Sequence, residues 1–390
     1  MQKTRYLSSS IVEDLKNKMV FIGGARQVGK TTLAKEIISE QFPTSTYFNW
    51  DYQPDRKKII AGELPGEGGL LIYDEIHKNR KWKNFIKGIY DTHKNKYKIL
   101  VTGSARLSIY RKGGDSLQGR YHYYTLHPFS LAELENISSQ VQPFEEIQFA
   151  GQNFQEAFET LLTFGGFPEP FLSQDLKVLR RWYNEKLERL FREDVRDLEN
   201  IRDISSMKLL GDILPTKASS PLSINNLRED LEVSHRAITS WLNILESFYY
   251  HFRIYPYTSK IIRSIKKEPK LYLTDWSEVT SEGARFENLI AAHLQKFTNY
   301  LYERDGYKTE LHYLRNVDKK EVDFLITVDN KPWFAVEVKL SETTPSNNLF
   351  YFKDRLKIPF NYQVVKQLGV DIVKDGTRII SASKFLSGLV

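Results

Sequence analysis

Residues Gly24-Ala25-Arg26-Gln27-Val28-Gly29-Lys30-Thr31 read G-x-x-x-x-G-K-T. That spacing suits a loop that wraps a polyphosphate. The two glycines let backbone N–H groups turn inward around an anion. A helix opening at Lys30 adds the positive end of its dipole at the same point. Lys30 then reaches the β- and γ-phosphates of ATP, and the Thr31 hydroxyl, followed by Thr32, faces Mg2+. The flanks agree. The apolar run Met19-Val20-Phe21-Ile22 enters the loop as a strand, and Leu33-Ala34-Lys35-Glu36-Ile37-Ile38 leaves it as a helix.

A second chemical group lies downstream. Gly69-Leu70-Leu71-Ile72-Tyr73 is a continuous apolar run that ends in Asp74-Glu75. Such runs suit strands covered on both faces of a parallel sheet, and ligands bind at the carboxyl ends of those strands. In that setting Asp74 supports Mg2+ and Glu75 polarises the attacking water. A third strand, Tyr97-Lys98-Ile99-Leu100-Val101-Thr102-Gly103-Ser104, ends in hydroxyl side chains, so Thr102 or Ser104 could bond the γ-phosphate or the water. Arg106, Arg111 and Arg120 follow. Arg120, after Gly119, is the choice for a residue that stabilises transition-state charge.

Near the other end, Glu321-Val322-Asp323-Phe324-Leu325-Ile326 and Trp333-Phe334-Ala335-Val336-Glu337-Val338-Lys339 flank Val328-Asp329-Asn330-Lys331. The turn residues predict a β-hairpin. Alternation puts Glu337 and Lys339 on one face, with Asp323 able to converge from the partner strand. An Asp followed at distance by Glu-x-Lys resembles the PD-(D/E)-x-K nucleases, with Val322 in a place where that motif often has proline. The resemblance implies Mg2+ held by Asp323 and Glu337 and a water oriented by Lys339. Glu287, on a predicted helix over 283–294, would complete the shell, and Gln363 is a weaker candidate.

These groups need several domains to hold them. The chain has 390 residues, 41% of them apolar and 27% charged, enough for two to four packed cores. It has no cysteine, which excludes disulfides, zinc–thiolate sites and thiol catalysis. No apolar run approaches a membrane span, so no membrane partner is expected, and the N-terminus lacks a signal-type stretch, which predicts a cytoplasmic protein. The net charge of +7 and pI near 9.1 permit a DNA partner without demanding one.

Residues 155–215 carry Leu179, Trp182, Leu187, Leu190, Phe191, Val195 and Leu198 at helical spacing, which predicts a helical lid. Arg192 there reads as a helix-surface residue. Residues 222–257 read as two short helices, the second capped by Ser234, and then a strand: a winged helix-turn-helix. The second helix exposes His235, Arg236, Thr239, Ser240 and Asn243, a thin basic set. Lys260, Arg263, Lys266, Lys267 and Lys270 form either a basic wing or a solvated hairpin.

The order of motifs also resembles a family. The phosphate loop, Leu70-Leu71-Ile72-Tyr73-Asp74-Glu75-Ile76, Val101-Thr102-Gly103-Ser104, Gly119-Arg120 and Leu126-His127-Pro128-Phe129-Ser130-Leu131-Ala132-Glu133-Leu134 are similar to prokaryotic AAA-type ATPases that carry a C-terminal domain of unknown function, as is Gly165-Gly166-Phe167-Pro168-Glu169-Pro170. The resemblance implies ATP and Mg2+ as cofactors, with Lys30, Thr31, Asp74, Glu75 and a sensor near Ser104 at the site. The expected architecture is α/β: a parallel-sheet P-loop ATPase core over 1–154, a helical lid over 155–215, a winged helix over 216–260 and a restriction-nuclease-like domain over 261–390. Expected partners are DNA or a protein, with an oligomer open. ATP-dependent action on DNA and an ATP-controlled binding switch without cleavage are the two functions that fit.

Overall fold

The computed structural model describes residues 4–103, 117–137, 141–195, 203–258 and 268–390. They form two compact units, Met1–His127 with Ser247–Tyr249, and Pro128–Glu246 with Tyr250–Val390.

The first unit is an α/β layer structure around five parallel strands: β1 (Met19–Gly24), β2 (Ser45–Asn49), β3 (Gly69–Asp74), β4 (Tyr97–Thr102) and β5 (Tyr121–Leu126), in the order β2-β3-β4-β1-β5. β1 is buried at every position, and β3 and β4 at nearly every one. One face packs Phe21, Leu71, Tyr73, Ile99 and Val101 against Trp82, Ile86 and Ile89 of α4 (Trp82–His93), which explains why these strands read as continuous apolar runs. Among the described residues the unit also holds α1 (Ser8–Leu15), α2 (Lys30–Thr32), continued by a π-helical turn over Leu33–Ile38, and α3 (Gln53–Ala61). Because all five strands are parallel, Gly24, Asn49, Asp74, Thr102 and Leu126 end at the same edge of the sheet, with Asn49 opposite Asp74 and Asp74 opposite Thr102.

The second unit begins where the chain leaves β5. Pro128–Leu134 is held by the long helix of this unit, which runs Glu282–Asp305. The Lys296 ammonium from that helix donates to Ser130 Oγ (2.7 Å) and Glu133 Oε2 (2.6 Å), and all three groups are buried. His293 Nε2 accepts from the Leu131 N–H at 3.3 Å while its Nδ1 meets the Leu289 carbonyl at 2.8 Å. Burial pushes this imidazole down to about 3, so it stays neutral and can accept. The Phe129 N–H donates to the Gly166 carbonyl at 2.7 Å, so two segments that stand out in the sequence are bonded to each other.

Helices α5 (Leu131–Leu134), α6 (Gln155–Phe164), α7 (Pro168–Ser173), α8 (Leu176–Arg189) and α9 (Ile204–Ile213) make up the helical stretch. They are followed by α10 (Ile224–Asp230) and α11 (His235–Ser247), with caps at Ser223 and Ser234. The strand expected after these helices starts at His251, once Tyr249, with a φ of 59°, has turned the chain.

A nine-stranded sheet completes the unit, in the order β13-β14-β12-β11-β10-β9-β7-β8-β6. Its strands are β6 (Ser220–Pro221), β7 (His251–Pro256), β8 (Lys270–Leu273), β9 (Thr309–Arg315), β10 (Glu321–Val328), β11 (Lys331–Lys339), β12 (Phe360–Val365), β13 (Asp371–Lys374) and β14 (Thr377–Ser381). α12 is the long helix Glu282–Asp305; α13 (Asn347–Leu356) and α14 (Ala382–Ser387) follow it. β10 and β11 form the expected hairpin. Asp329 and Asn330 both take positive φ, 49° and 64°, as the tightest hairpin turn requires.

Candidate functional site

The phosphate loop leaves β1 at Gly24 and ends at Gly29, whose φ of 97° starts α2. A Cβ at Gly24 would lie 2.4 Å from the Leu126 carbonyl oxygen, so only glycine allows the loop to lie this close to β5. The Lys30 ammonium is nearly buried and donates to the carbonyls of Gly24 (3.0 Å) and Ala25 (2.7 Å), within the loop it would serve. Arg26, Gln27 and Val28 fill the loop between them, Gln27 with a φ of 58°.

Asp74 is the hub of this edge. Its Oδ2 accepts from the Thr31 hydroxyl (2.9 Å) and the Tyr47 hydroxyl (2.7 Å), and its Oδ1 accepts from the Thr102 hydroxyl (2.7 Å). Asp74 is 5% exposed, so its carboxyl oxygens are served by three hydroxyl donors and little water. Thr31, Asp74 and Thr102 come from three elements, and the parallel register brings them together. Sequence reading paired Thr31 with Asp74 and left Thr102 and Ser104 as alternatives. The structure joins Thr102 to Asp74, while Ser104, with Arg106 and Arg111, lies outside the described residues. Tyr47 was missed, and its only sequence signal is its place on the strand before Asn49. Burial first, then the Asp74 charge, raises its phenol well above the ordinary range, so it remains a donor.

Glu75 follows β3 with a φ of 56° and its N–H bonded to the Thr102 carbonyl at 2.9 Å. Burial raises its carboxyl above the ordinary range, and the Lys30 charge opposes that shift. Its Oε2 lies 3.4 Å from His77 Nε2. A left-handed glutamate at a strand end is a strained conformation, of the kind that gathers at functional sites.

Arg5 was missed altogether. It is 5% exposed, and its guanidinium donates to the Val28 carbonyl at 2.8 Å and the His127 carbonyl at 2.6 Å. The start of the chain thus braces the phosphate loop against the end of β5.

Arg120 lies elsewhere. It precedes Tyr121, which pairs with Met19, whereas the loop begins at Gly24, paired with Leu126. Five residues of strand separate the two ends, roughly 17 Å at ~3.3 Å per residue. Its guanidinium is engaged with Asp91 at 2.7 and 3.1 Å. Within its own chain Arg120 is therefore at the wrong end of the sheet for the phosphates. Arg192, as expected, is an exposed helix residue, paired with Glu188.

In the second unit, Asp323, Glu287, Glu337 and Lys339 do converge. Glu337 and Lys339 are joined at 3.0 Å, and Asp323 Oδ2 accepts from the Val338 N–H at 2.9 Å. Pairing of β10 with β9 slips between Val322 and Leu325, a bulge that re-aims Asp323. Gln363 is fully buried but committed to the loop before α13. Its Oε1 accepts from the Ser346 N–H, and its Nε2 donates to the carbonyls of Glu342 and Thr344.

Lys270 is not solvated: it is 2% exposed, at the start of β8. Its ammonium lies 2.6 Å from Glu321 Oε1 and 3.4 Å from both Glu287 Oε1 and Asp323 Oδ1. Tyr272, two residues on, donates to Glu287 Oε1 at 2.7 Å. Lys260, Arg263, Lys266 and Lys267 lie outside the described residues. Burial, with the Asp323 charge second, pushes the Glu287 carboxyl up to about 8 and that of Glu337 up to about 7. Among the described residues no set of three His, Cys, Asp or Glu side chains is disposed to hold a metal ion. Among them also, no helix is long and apolar enough to cross a membrane.

Three family matches tile the chain: an AAA domain over residues 16–135, a domain of unknown function (DUF8612) over 155–280, and a second (DUF4143) over 282–385. The chain therefore carries an AAA-type P-loop ATPase domain followed by two domains of unknown function. Two uncharacterised proteins of Methanocaldococcus jannaschii are similar along most of their length. MJ1544 is 26% identical over 91% of this chain and 83% of its own, and MJ1637 is 25% identical over 89% and 80%. Among solved structures, the Walker-type ATPase PABY2304 of Pyrococcus abyssi aligns with 71% of this chain and 96% of its own, at 16% identity and a TM-score of 0.41. The Orc1 protein of Aeropyrum pernix, solved with DNA, aligns with 75% and 95%, at 12% identity and a TM-score of 0.35.

Proposed function

We propose that this chain is an Mg2+-dependent ATPase whose later domains act on DNA. The observation that carries the ATPase reading is the meeting of Thr31, Tyr47 and Thr102 on one buried carboxylate, Asp74. Mg2+ binds with few protein ligands and takes the rest of its shell from phosphates and water, so one hydroxyl and one carboxylate fit it. Thr31 and Asp74 would hold it, and when bound it supplies neutralisation of charge on the phosphate oxygens. Lys30 exchanges the carbonyls of Gly24 and Ala25 for phosphate oxygens. Glu75, raised by burial yet close to the Lys30 charge, orients the attacking water. The test is ATP hydrolysis with and without Mg2+, beside Lys30→Ala. Metal-independent turnover, or turnover unchanged in the variant, would sink it.

Action on DNA is supported by α10 and α11 followed by paired strands, the arrangement of a winged helix. His235, Arg236, Ser240 and Asn243 are exposed there. It is also supported by Asp323, Glu337 and Lys339, the set a PD-(D/E)-x-K nuclease uses. A second reading, an ATP-controlled switch that binds DNA or a protein without cutting, is favoured by one observation: the ammonium of Lys270 sits among the carboxylates. Incubation of single-stranded, duplex and branched DNA with Mg2+ or Mn2+, with and without ATP, separates the two. Cleavage lost in Glu337→Ala supports the nuclease, and DNA binding without cleavage supports the switch.

A further inference from the structure

The carboxylates around Lys270 come from two elements, Glu287 from α12 and Glu321 and Asp323 from β10, and they share one buried ammonium. A divalent ion of the Mg2+ type needs oxygens at about 2.0–2.1 Å in a near-octahedral shell. Oxygens at 2.6 and 3.4 Å from a lysine nitrogen are spaced for an ammonium instead. The Tyr313 ring, its centroid 5.7 Å from the Lys270 ammonium, adds a further contact. Asp323 is used on both oxygens, by Lys270 on one and by the Val338 N–H on the other. Beside this arrangement, across the paired Phe324 and Val336, Glu337 is 5% exposed and its Oε2 has no hydrogen-bond partner among the described residues. A buried carboxylate oxygen left unpaired next to a filled cluster marks coordination capacity that the ammonium does not use.

We propose that Lys270 is a tethered counter-ion that occupies the cation position of the Glu287–Glu321–Asp323 cluster and keeps divalent metal out of it. This rests on the nuclease-like reading of the same cluster and adds its control: the domain acquires a metal only when the lysine leaves its seat. A lysine has one charge and no open coordination position. The seated form therefore grips without providing the water activation that a metal supplies.

The test is Mn2+ binding to the nucleotide-free full-length chain, read from the paramagnetic resonance signal of free Mn2+, in an Asp74→Asn background that disables the phosphate-loop carboxylate. Lys270→Met, similar in length and uncharged, is expected to gain a Mn2+ site at least tenfold tighter than the parent, and adding Asp323→Asn is expected to abolish it. A parent that already binds Mn2+ as tightly as Lys270→Met, with that binding lost in Asp323→Asn, overturns the proposal. So does a folded Lys270→Met that binds none. Should Lys270→Met fail to fold, the parent decides: Mn2+ binding that depends on Asp323 overturns the proposal, and its absence supports it. DNA cleavage is scored separately. A Lys270→Met chain that gains Mn2+ yet cuts no DNA refutes the nuclease reading and leaves the counter-ion standing, whereas Mn2+-dependent cleavage by the parent, lost in Glu337→Ala, does the reverse.

Discussion

Replacing Asp74 by Asn separates the chemistry of the phosphate edge from its stability. The carboxylate takes three hydroxyl bonds at 2.7–2.9 Å in a nearly buried place. Hydrogen bonds to a charged group are worth about 1.5–3 kcal/mol each against about 0.5–1.5 kcal/mol for neutral ones, so Asn forfeits roughly 1 kcal/mol per bond. Hydroxyls can also accept, so Thr102 or Thr31 can turn to meet the new N–H2, and burying an amide is easier than burying a charge. These terms oppose one another, and the unit is expected to lose no more than about 2 kcal/mol. Turnover has no such compensation. Loss of the charge that would support Mg2+ beside the reacting phosphates should cost on the order of 10²–10³ in rate, about 2.7–4 kcal/mol. Asp74→Asn should therefore melt within a few degrees of the parent and hydrolyse ATP at least 100-fold more slowly. Thr102→Val, which keeps the charge and removes one bond to it, should cost about 1.5–3 kcal/mol of stability yet lose much less turnover than Asp74→Asn. The assay is steady-state phosphate release across a Mg2+ titration, with a thermal melt of each variant. Retention of more than a third of the activity in Asp74→Asn, or equal losses in the two variants, would refute the assignment of metal support to this carboxylate.

Three further outcomes follow from the geometry. Arg5→Met strips the Val28 and His127 carbonyls of a buried donor, at about 1–3 kcal/mol, and should weaken ATP binding about tenfold by loosening the loop; unaltered affinity in a titration with a fluorescent nucleotide would count against the brace. Lys296→Met leaves Glu133 charged and buried and should destabilise the second unit by ~3–5 kcal/mol in urea unfolding, with Lys296→Met plus Glu133→Gln recovering most of the loss. Glu287 and Glu337, raised from 4.5 to about 8 and about 7, keep protons when folded that the unfolded chain has released. Stability from these groups is thus fully present below pH 4.5 and falls as pH rises towards about 8, by a few kcal/mol at most; melting temperatures between pH 5 and 9 should show the fall, and Glu287→Gln should flatten it.

Much of the phosphate edge was legible because its signals are local. The G-x-x-x-x-G-K-T loop and the apolar run into Asp74 each declare themselves within a few residues, as does the turn at Asp329-Asn330 in the second unit. Lys270 was not legible. Next to Lys266 and Lys267 it looks like one more surface charge, and only the pairing of β8 with β7 and the approach of α12 and β10 bury it. Arg5 and Tyr47 escaped for the same reason, since their partners lie 23 to 122 residues away. Gln363 looked like a site residue by strand position, yet its amide is spent on loop backbone. Arg120 looked like a charge stabiliser by motif order, but parallel pairing carries it to the far end of its strand.

The left-handed backbone at Glu75 sets what a substitution there would do to stability. A glycine there would take the same turn at ease, whereas a glutamate is held at a φ of 56° against a steric cost of about 1–2 kcal/mol. The proposed water-orienting role of Glu75 would need a carboxylate there, which neither glycine nor asparagine supplies. Glu75→Gly should then give a sturdier protein that has lost its trade.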